Sequence, residues 1–355
     1  MAQQRVRIGF LGAGWWATAN HLPLLAARDD VELTAVCRLG AAELEQVRQR
    51  FGFRYAFEDA DTLLREVELD AVCVVSPHTL HHRHARAALE RGLHVMCEKP
   101  MTTRADDARD LVQLAEARGL HLLVPYGWHY KPFVQEARRR LNAGEIGEVQ
   151  YVLSHMASPI RRMLEGHPME EVPGGQAGEL LFTPDPRTWA DPVIAGGGYG
   201  HAQLSHSTGM LFWLTGLRPQ EVYARMSAPA ARVDLYDALS VRFESGAIGT
   251  VSGAGTVPPT RGFQVDLRIF GSEGMLLLDM ERERLEVRRD DGRDFADFPA
   301  AGTGAYSCEG PPHNFIDLVL GRTTENHAPG WAALRSVELL DAAYRSAVSG
   351  KSEPV

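Results

Sequence analysis

The sequence predicts an α/β protein of two domains, divided near residue 125. Over residues 1–125, short apolar runs typical of strands alternate with helical patterns, as in a parallel sheet with crossover helices. Beyond residue 220, strand-like runs follow one another, with Gly246 and Gly274 as hairpin turns, so residues 126–355 are expected to form a second domain. The 355 residues suffice for a hydrophobic core in each domain.

The first predicted strand, residues 5–11, ends in a glycine turn, and a helix is predicted over residues 18–27. In this context Gly12 permits the tight turn, Gly14 lets a pyrophosphate approach the backbone, and Ala17 is small enough for helix-on-strand packing. The free N–H groups of the helix suit an anionic ligand. A structural glycine turn is the alternative, but strand, turn and helix in this order favour a dinucleotide site that includes Gly12, Ala13, Gly14, Trp15 and Trp16.

The residue after the second predicted strand, residues 31–37, indicates which dinucleotide fits. NAD sites place an acidic residue there to hold the ribose hydroxyls, whereas Arg accommodates a 2′-phosphate. This chain has Arg38, while Glu32 lies at the strand entrance. We expect NADP to be preferred and NAD to be possible, because an Arg in such a loop can also be solvated or stack on adenine.

A histidine-rich segment follows the strand predicted over residues 71–76. Four residues are expected to contact the cofactor, the last two near the nicotinamide ribose: Ser76, Pro77, His78 and His81. His82 and His84 are expected to be solvated helix residues. We expect no metal site here, because no carboxylate or thiolate accompanies the histidines.

The tripeptide Glu98-Lys99-Pro100 follows an apolar run typical of a strand, residues 93–97. Pro100 ends that strand and leaves Lys99 at its carboxyl end, the edge where open α/β sheets bind ligands. An amine desolvated there by cofactor and substrate has a lowered pKa and can exchange a proton. A lone Lys-Pro would be a surface turn, but the preceding dinucleotide pattern favours a catalytic lysine.

Four motifs together resemble the Gfo/Idh/MocA oxidoreductases, named for glucose-fructose oxidoreductase, inositol dehydrogenase and a rhizopine-catabolism protein. They occupy residues 12–17, 21–23, 76–81 and 93–100, and Glu-Lys-Pro is the most specific of them. The resemblance covers nearly the whole chain. It implies a Rossmann domain followed by an α/β domain with an open, mostly antiparallel sheet, and it implies that Lys99 lies at the active site. Glu98 and Lys99 are also expected beside the cofactor.

A glycine triplet at residues 196–198 matches the family in part. The family carries an Asp four residues after the third glycine and a His four residues after that Asp, so one helical turn directs both at the cleft. His206 matches the histidine, but Ala202 replaces the Asp and Gly209 replaces a later helix Asp. The resemblance implies that Lys99 and His206 form the catalytic pair, with or without help from a neighbouring polar residue.

Several polar and aromatic residues are candidates to contact the substrate. Trp128 and His129 follow the strand at the domain boundary, and an aromatic platform beside a hydrogen-bonding ring suits a polyol or sugar. Packing of these aromatics in the core is an equally weighted alternative. The long irregular segment over residues 158–191 has the composition of a lid or binding loop. The full set of expected substrate contacts is Lys99, Trp128, His129, His201, Gln203 and His206.

Composition narrows the partners to small molecules. The net charge of −9 argues against nucleic acid and anionic membranes, which both require a basic face. No run of about 18 apolar residues and no signal-peptide core is seen, so we expect a cytoplasmic protein. The four cysteines lack metal-ligand spacing and fit reduced thiols.

These observations predict an NAD(P)-dependent oxidoreductase that transfers a hydride between nicotinamide and a secondary alcohol or ketone of a sugar, cyclitol or related polyol. Either His206 or Lys99 would take the hydroxyl proton, and the other would hydrogen-bond the alkoxide. An NAD-dependent glycoside hydrolase of the same family and a non-catalytic metabolite sensor are the alternatives. The open sheet and the resemblance also predict a homodimer or homotetramer formed through the C-terminal sheet.

Overall fold

The computed structural model describes residues 5–168, 180–258 and 260–355. Part of the predicted loop over residues 158–191 therefore lies outside the described residues. The described part of this loop contains two short helices, Arg161–Leu164 and Arg187–Ala190. Within the described residues, no helix combines the length and apolar character needed to cross a bilayer.

The N-terminal sheet has six parallel strands in the order β3-β2-β1-β4-β5-β6. Apart from the edge strand β3, the strands of this sheet consist mostly of buried apolar residues, as expected where helices cover both faces. Its strands are β1 Val6–Leu11, β2 Val31–Cys37, β3 Tyr55–Phe57, β4 Ala71–Val74, β5 His94–Cys97 and β6 Leu122–Leu123. The strand order reverses between β1 and β4, which is where such sheets bind ligands.

Five helices connect these strands. The first begins with a π-helical turn, Ala17–His21, before it becomes regular, so the helix predicted over residues 18–27 is present with an irregular first turn. The helices are α1 Leu22–Ala26, α2 Ala41–Phe51, α3 Ala60–Glu66, α4 His81–Glu90 and α5 Ala105–Ala117.

The second sheet has nine strands in the order β14-β13-β12-β11-β7-β10-β9-β8-β15. Every neighbouring pair is antiparallel except β7 with β10, which confirms the predicted open, mostly antiparallel sheet. The strands are β7 Val149–Ala157, β8 Pro219–Ser227, β9 Tyr236–Phe243, β10 Ile248–Ala254, β11 Gln264–Gly271, β12 Gly274–Asp279, β13 Arg284–Arg289, β14 Phe295–Asp297 and β15 Glu353–Pro354.

Helices cover one face of this sheet. Along β9 buried and exposed residues alternate, so one face packs inward and the other faces solvent. Residues 205–214 of α10 are all buried, as in a helix at the centre of a core. The helices of the second half are α6 Pro132–Asn142, α7 Arg161–Leu164, α8 Arg187–Ala190, α9 Pro192–Ala195, α10 Ser205–Thr215, α11 Gly310–Val319 and α12 Gly330–Ser349.

Two hydrophobic cores are present, and α12 contributes to both. Val337 packs in the N-terminal core and Leu340 in the C-terminal one. The Arg109 Nε of α5 donates to Glu338 of α12 at 2.7 Å, which fixes the two cores to each other. The domain boundary predicted near residue 125 stays a prediction. Helices α11 and α12 lie beyond it in the chain, but they contribute residues to the N-terminal core.

Candidate active site

A cleft of about 650 Å³ lies at the carboxyl ends of β1, β2, β4 and β5, and the second domain forms its opposite wall. Clefts of this size, mostly apolar with a few convergent polar groups, are typical of small-molecule sites. Most of the residues singled out from the sequence line it: Gly12, Ala13, Gly14, Trp15, Trp16, Arg38, Ser76, Pro77, His78, His81, Glu98, Lys99, Trp128, Gln203 and His206.

The two glycines of the first turn have different roles. Gly12 has φ +97°, and a Cβ there would lie 2.5 Å from the Ser76 amide nitrogen, so a side chain is excluded by the protein itself. A Cβ at Gly14 would meet nothing within 4 Å, because it would project into open space. Since Gly14 also lines the cleft, that space is available for a pyrophosphate at the backbone, and the residues present fit a dinucleotide.

Arg38 lies at the end of β2, as predicted. Its Nη1 donates to the Ala13 carbonyl at 3.0 Å, and its guanidinium carbon lies 4.1 Å from the centroid of the Phe182 ring. Phe182 belongs to the segment between β7 and α8, so the second domain reaches across the cleft to the adenosine side of the site. The Arg38 side chain is thereby held at the position where a ribose or its 2′-phosphate would bind.

Glu98 is a buried anchor for three elements of the site. Its Oε1 accepts a hydrogen bond from Trp16 Nε1 at 2.7 Å and lies 2.6 Å from His21 Nε2, while its Oε2 accepts from the Lys99 amide at 3.0 Å. Burial alone would raise the pKa of Glu98, but the hydrogen bond and charge of His21 and the Lys99 charge lower it below its ordinary value. The carboxylate therefore stays ionised and holds the glycine turn against the strand that carries Lys99.

Lys99 lies at the end of β5 and is 6% exposed. Its Nζ donates to the Ala202 carbonyl at 2.7 Å and lies 5.3 Å from the centroid of the Trp189 ring. Burial lowers the pKa of the Lys99 ammonium, and the Glu98 carboxylate opposes that shift. Lys99 is thus a desolvated cation at the floor of the cleft, held between the two domains.

His206 is the second residue of α10 and is also 6% exposed. Its ring is surrounded by the edges or faces of three aromatic side chains, Tyr306 at 5.2 Å, Trp128 at 5.6 Å and Tyr126 at 5.9 Å between centroids. Its Nδ1 is buried and has no hydrogen-bond partner among the described residues. Burial first, and the Lys99 charge second, lower the pKa of His206 well below its ordinary value, so the imidazole is neutral at physiological pH.

The departure from the family pattern at residues 202 and 209 has a structural counterpart. Ala202 lies in a π-helical turn, Gly200–Leu204, and its backbone carbonyl accepts a hydrogen bond from Lys99 Nζ. A Cβ at Gly209 would lie 2.7 Å from the Tyr126 ring, so this chain has no room for a carboxylate there without moving Tyr126. Gln203 lines the cleft beside this turn.

The glycine triplet is held by one carboxylate from the loop between β8 and β9. Asp234 accepts hydrogen bonds from the amides of Gly198 and Gly200, each at 2.8 Å, and from the Tyr344 hydroxyl at 2.9 Å. A Cβ at Gly198 would lie 2.3 Å from the Asp234 carbonyl oxygen, so the close approach requires glycine. This arrangement orients the turn that delivers Ala202, Gln203 and His206.

Two predicted substrate contacts do not reach the cleft. His129 is fully buried, stacks on Trp213 at 4.6 Å, and its Nδ1 lies 2.9 Å from the His327 carbonyl. His201 packs against the Tyr344 ring at 4.5 Å on the far side of the turn. Both belong to the core because their positions in the 3₁₀ and π-helical turns direct them away from the cleft, so neither is proposed as a substrate contact.

The histidines of the cofactor loop are fixed by backbone carbonyls. Both ring nitrogens of His81 lie 2.7 Å from carbonyl oxygens, those of Pro100 and Ser76, so this side chain ties the cofactor loop to the lysine loop. His78 Nδ1 lies 3.1 Å from the Ala195 carbonyl. His84, expected to be solvated, instead lines the cleft and contacts the Ser76 hydroxyl at 2.9 Å.

Sequence reasoning missed part of the cleft wall. Phe263 and Tyr306 come from loops that carry no motif, and Phe182 and Trp189 were only members of a long unassigned segment. Their apolar character was the one available signal, and it does not distinguish a cleft wall from a core. The apolar residues added by the structure include Ile160, Met163, Phe182, Trp189, Phe263 and Tyr306. In the part of the chain that the structure describes, no cluster of His, Cys, Asp or Glu could hold a metal ion.

A six-stranded parallel sheet with a glycine turn at its switch point defines the first domain as dinucleotide-binding, of the Rossmann type. Residues 6–126 match the family model described as "Oxidoreductase family, NAD-binding Rossmann fold", and residues 134–277 match the "GFO/IDH/MocA C-terminal domain". The chain belongs to the Gfo/Idh/MocA family, which confirms the resemblance seen in its motifs.

Its relatives include sugar dehydrogenases and reductases. The D-glucoside 3-dehydrogenase of Escherichia coli (strain K12) is 31% identical over 149 residues, 42% of each chain. The dTDP-3,4-didehydro-2,6-dideoxy-alpha-D-glucose 3-reductase of Streptomyces antibioticus is 28% identical over 371 residues, 96% of this chain and 97% of that one. With the first of these, and with the D-xylose 1-dehydrogenase (NADP+) of Haloarcula marismortui, the match spans about half the relative's length.

The same fold is present in a solved structure of levoglucosan dehydrogenase in complex with NADH and levoglucosan. The two chains superpose with a TM-score of 0.79 at 19% identity, over 99% of this chain and 100% of that one. At this identity the likeness establishes the fold alone.

Proposed function

We propose that this protein is an NAD(P)-dependent oxidoreductase that transfers a hydride between the nicotinamide and a secondary alcohol or ketone carbon of a sugar, cyclitol or related polyol. The observation that carries the proposal is the position of Lys99 and His206, two desolvated proton-transfer groups, in the cleft that the glycine turn also lines. When bound, the nicotinamide supplies the hydride acceptor or donor at its C4 atom. The backbone of Gly12–Trp16 would hold the pyrophosphate.

Lys99 is the better of the two candidates for the proton transfer. A base acts best when its pKa lies near the operating pH, and burial brings the pKa of Lys99 down toward that range while it takes the pKa of His206 far below it. In oxidation, the neutral Lys99 amine takes the hydroxyl proton, and His206 hydrogen-bonds the same oxygen and orients it. In reduction the roles reverse, and the Lys99 ammonium protonates the alkoxide.

NADP is proposed as the preferred cofactor. Arg38 at the end of β2 supports this preference, and Glu32 at the strand entrance does not substitute for the acidic residue of an NAD site. Glu58, which lines the same end of the cleft, already accepts a hydrogen bond from the Gly40 amide at 3.0 Å. Two of the relatives carry NADP+ in their names and several of the similar solved structures contain NADH, so NAD is the alternative cofactor.

Of the alternatives, the glycoside hydrolase is unsupported, because the relatives described above are dehydrogenases and reductases. A metabolite sensor would not need a buried lysine and histidine beside the cofactor. Turnover separates the sensor from the enzyme: incubation with NADP+ and a panel of sugars and polyols should give many reduced cofactors per protein molecule. Binding of cofactor without turnover would favour the sensor.

A homodimer or homotetramer formed through the second sheet is part of the proposal. The face of the sheet not covered by helices carries apolar side chains, among them Ile248, which is 54% exposed, and the half-buried Leu153 and Phe270. Light scattering after size-exclusion chromatography tests it, and Ile248→Lys should shift the mass toward the monomer. A cytoplasmic location is proposed from the four free cysteines, which suit a reducing compartment.

A further inference from the structure

The two ends of the cleft differ in charge. The cofactor end, formed by the glycine turn and the segments that follow β2 and β3, carries Arg38, Glu58 and Asp59. Three further charged side chains line the cleft, Arg83 in α4 and Asp185 and Arg187 in the segment of Trp189. Arg83 pairs with Asp61, and Arg187 with Asp185. The reaction end, around Lys99 and His206, is lined instead by Ile160, Met163, Trp128, Trp189, Phe263 and Tyr306.

The aromatic side chains at the reaction end form a box of perpendicular rings. Trp128 is edge-on to Phe263 at 5.6 Å and to Tyr306 at 4.9 Å, with interplanar angles of 84° and 78°. His206 is a third neighbour of Trp128, at 5.6 Å. The box therefore surrounds the His206 imidazole.

The polar atoms of these aromatics are turned away from the cleft. Trp128 Nε1 donates to the Gly304 carbonyl at 2.9 Å, and the Tyr306 hydroxyl donates to the Pro125 carbonyl at 3.2 Å. Both atoms are thus already satisfied by the protein. What the box offers a ligand is apolar ring surface, which suits the C–H face of a pyranose ring.

Among the described cleft residues near Lys99, the other charged side chains are already paired, Glu98 with Trp16 and His21, and Arg187 with Asp185. The Lys99 Nζ is held by the Ala202 carbonyl and is needed at the reacting oxygen. Arg161, next to Ile160 in sequence, pairs with Glu165. A substrate carboxylate or phosphate placed in the box would lose its water without gaining a cationic partner, which is strongly unfavourable.

We infer that the substrate is a neutral pyranose or pyranoside, bound with an apolar C–H face against Trp128 and Phe263, and not a uronate, a sugar phosphate or a nucleotide sugar. The inference rests on the proposed function, since it concerns the substrate of the same site. Gln203, which also lines the cleft, is suited to neutral hydroxyl groups because it both donates and accepts.

The test compares pairs of substrates that differ only in charge. Methyl glycosides of gluco, galacto and manno configuration are assayed against the corresponding methyl uronosides, with glucose 6-phosphate and dTDP-glucose as further anionic members and saturating NADP+ throughout. In each configuration that reacts, kcat/KM should be at least ten-fold higher for the neutral member. An equal or higher value for any anionic member would overturn the inference and leave the oxidoreductase standing.

The outcome for the proposed function is read separately, from cofactor binding and from turnover of any member of the panel. Reduction of NADP+ by anionic members alone contradicts only the substrate class. Failure of every member, neutral and anionic, contradicts both, and failure to bind either cofactor locates the error in the dinucleotide site.

Two substitutions of Phe263 test whether the box determines the preference. Phe263→Arg adds a cation at the box, so the ratio of uronoside to glycoside kcat/KM should rise at least ten-fold over wild type. Phe263→Leu keeps the box neutral, so KM should rise for both substrates with their ratio unchanged. Because the readout is a ratio within one protein preparation, partial misfolding does not move it. An unchanged ratio in Phe263→Arg would contradict the assignment.

Discussion

The cofactor end and the reaction end of the cleft are built in different ways. The glycine turn of the cofactor end comes from residues close together in sequence, a strand, a turn and a helix, and it presents backbone groups to the cleft. The reaction end brings together Lys99, Trp128, His206 and Tyr306 from segments far apart in the chain. A local motif thus suffices for binding a dinucleotide, whereas placement of the proton-transfer pair depends on the packing of the two domains.

The largest effect is expected at Lys99. Lys99→Met should lower kcat by about 10² to 10⁴, since general acid–base groups contribute in that range. NADPH affinity should change less than three-fold, because the glycine turn is intact. Stopped-flow kinetics and fluorescence titration measure the two quantities.

The chain offers a matched control for this substitution in Lys131, which also precedes a proline but does not line the cleft. Lys131→Met should retain wild-type kcat. If Lys99→Met also retained the wild-type kcat, the assignment of Lys99 as the proton-transfer group would be wrong.

The pH dependence separates Lys99 from His206. For oxidation, kcat/KM should rise with pH as the Lys99 ammonium, whose pKa burial lowers, loses its proton. His206→Asn should lower the rate and keep the rise, because the pKa of His206 lies well below the range examined. Lys99→Met should abolish the rise in its residual activity. If the rise of kcat/KM with pH were lost in His206→Asn but kept in Lys99→Met, His206 would be the proton-transfer group and Lys99 the hydrogen-bonding one.

The two glycines of the cofactor end should respond differently to the same change. Gly12→Ala should lower the melting temperature, because a Cβ would collide with the Ser76 backbone at a positive φ. Gly14→Ala should leave the melting temperature within about 2 °C, a shift worth roughly 1 kcal/mol or less. It should nevertheless weaken NADPH binding at least ten-fold. Equal loss of stability in both variants would show that Gly14 is structural.

Arg38 should affect cofactor choice and little else. Arg38→Ala should weaken NADPH binding by about ten-fold or more, because it removes a charge-assisted hydrogen bond. NADH binding should change less than three-fold. Isothermal titration calorimetry with both cofactors measures the difference. Arg83→Ala removes another cleft arginine, one already paired with Asp61, and should leave the NADPH to NADH ratio unchanged.

The smallest effect is expected behind the glycine triplet. Tyr344→Phe removes one hydrogen bond to Asp234 and should lower stability by about 1 kcal/mol. Cofactor affinity should be unchanged, because Tyr344 does not line the cleft and contacts Asp234 and the glycine-triplet turn. Chemical denaturation measures the stability. A drop in NADPH affinity would show that the two ends of the cleft are not independent.

The same contrast explains how much the sequence predicts. Gly12, Gly14, Arg38 and Lys99 reach the cleft as expected, because each immediately follows a strand of a parallel sheet and strand ends share one edge. The sequence identifies His206 as a site residue only through its spacing from the glycine triplet. His129 and His201 point into the core, because 3₁₀ and π-helical turns shift side-chain directions that a regular helix or strand pattern assumes.

The wall of the box could not be predicted, since no local pattern links Phe263 and Tyr306 to Trp128. Their association depends on the packing of loops at the edge of the second sheet. The family Asp at Ala202 illustrates the same limit: the sequence shows the side chain missing, but only the structure shows a backbone carbonyl bound to Lys99.

Direct transfer of hydrogen from a sugar carbon to the nicotinamide tests the central claim most directly. A substrate that reacts in the panel is prepared with deuterium at the reacting carbinol carbon, and the reduced cofactor is examined by mass spectrometry. The account predicts one deuterium per reduced cofactor, a primary isotope effect on hydride transfer, and multiple turnovers by wild type that Lys99→Met nearly abolishes. Reduced cofactor without deuterium, or no reduction with any sugar or polyol, would contradict it.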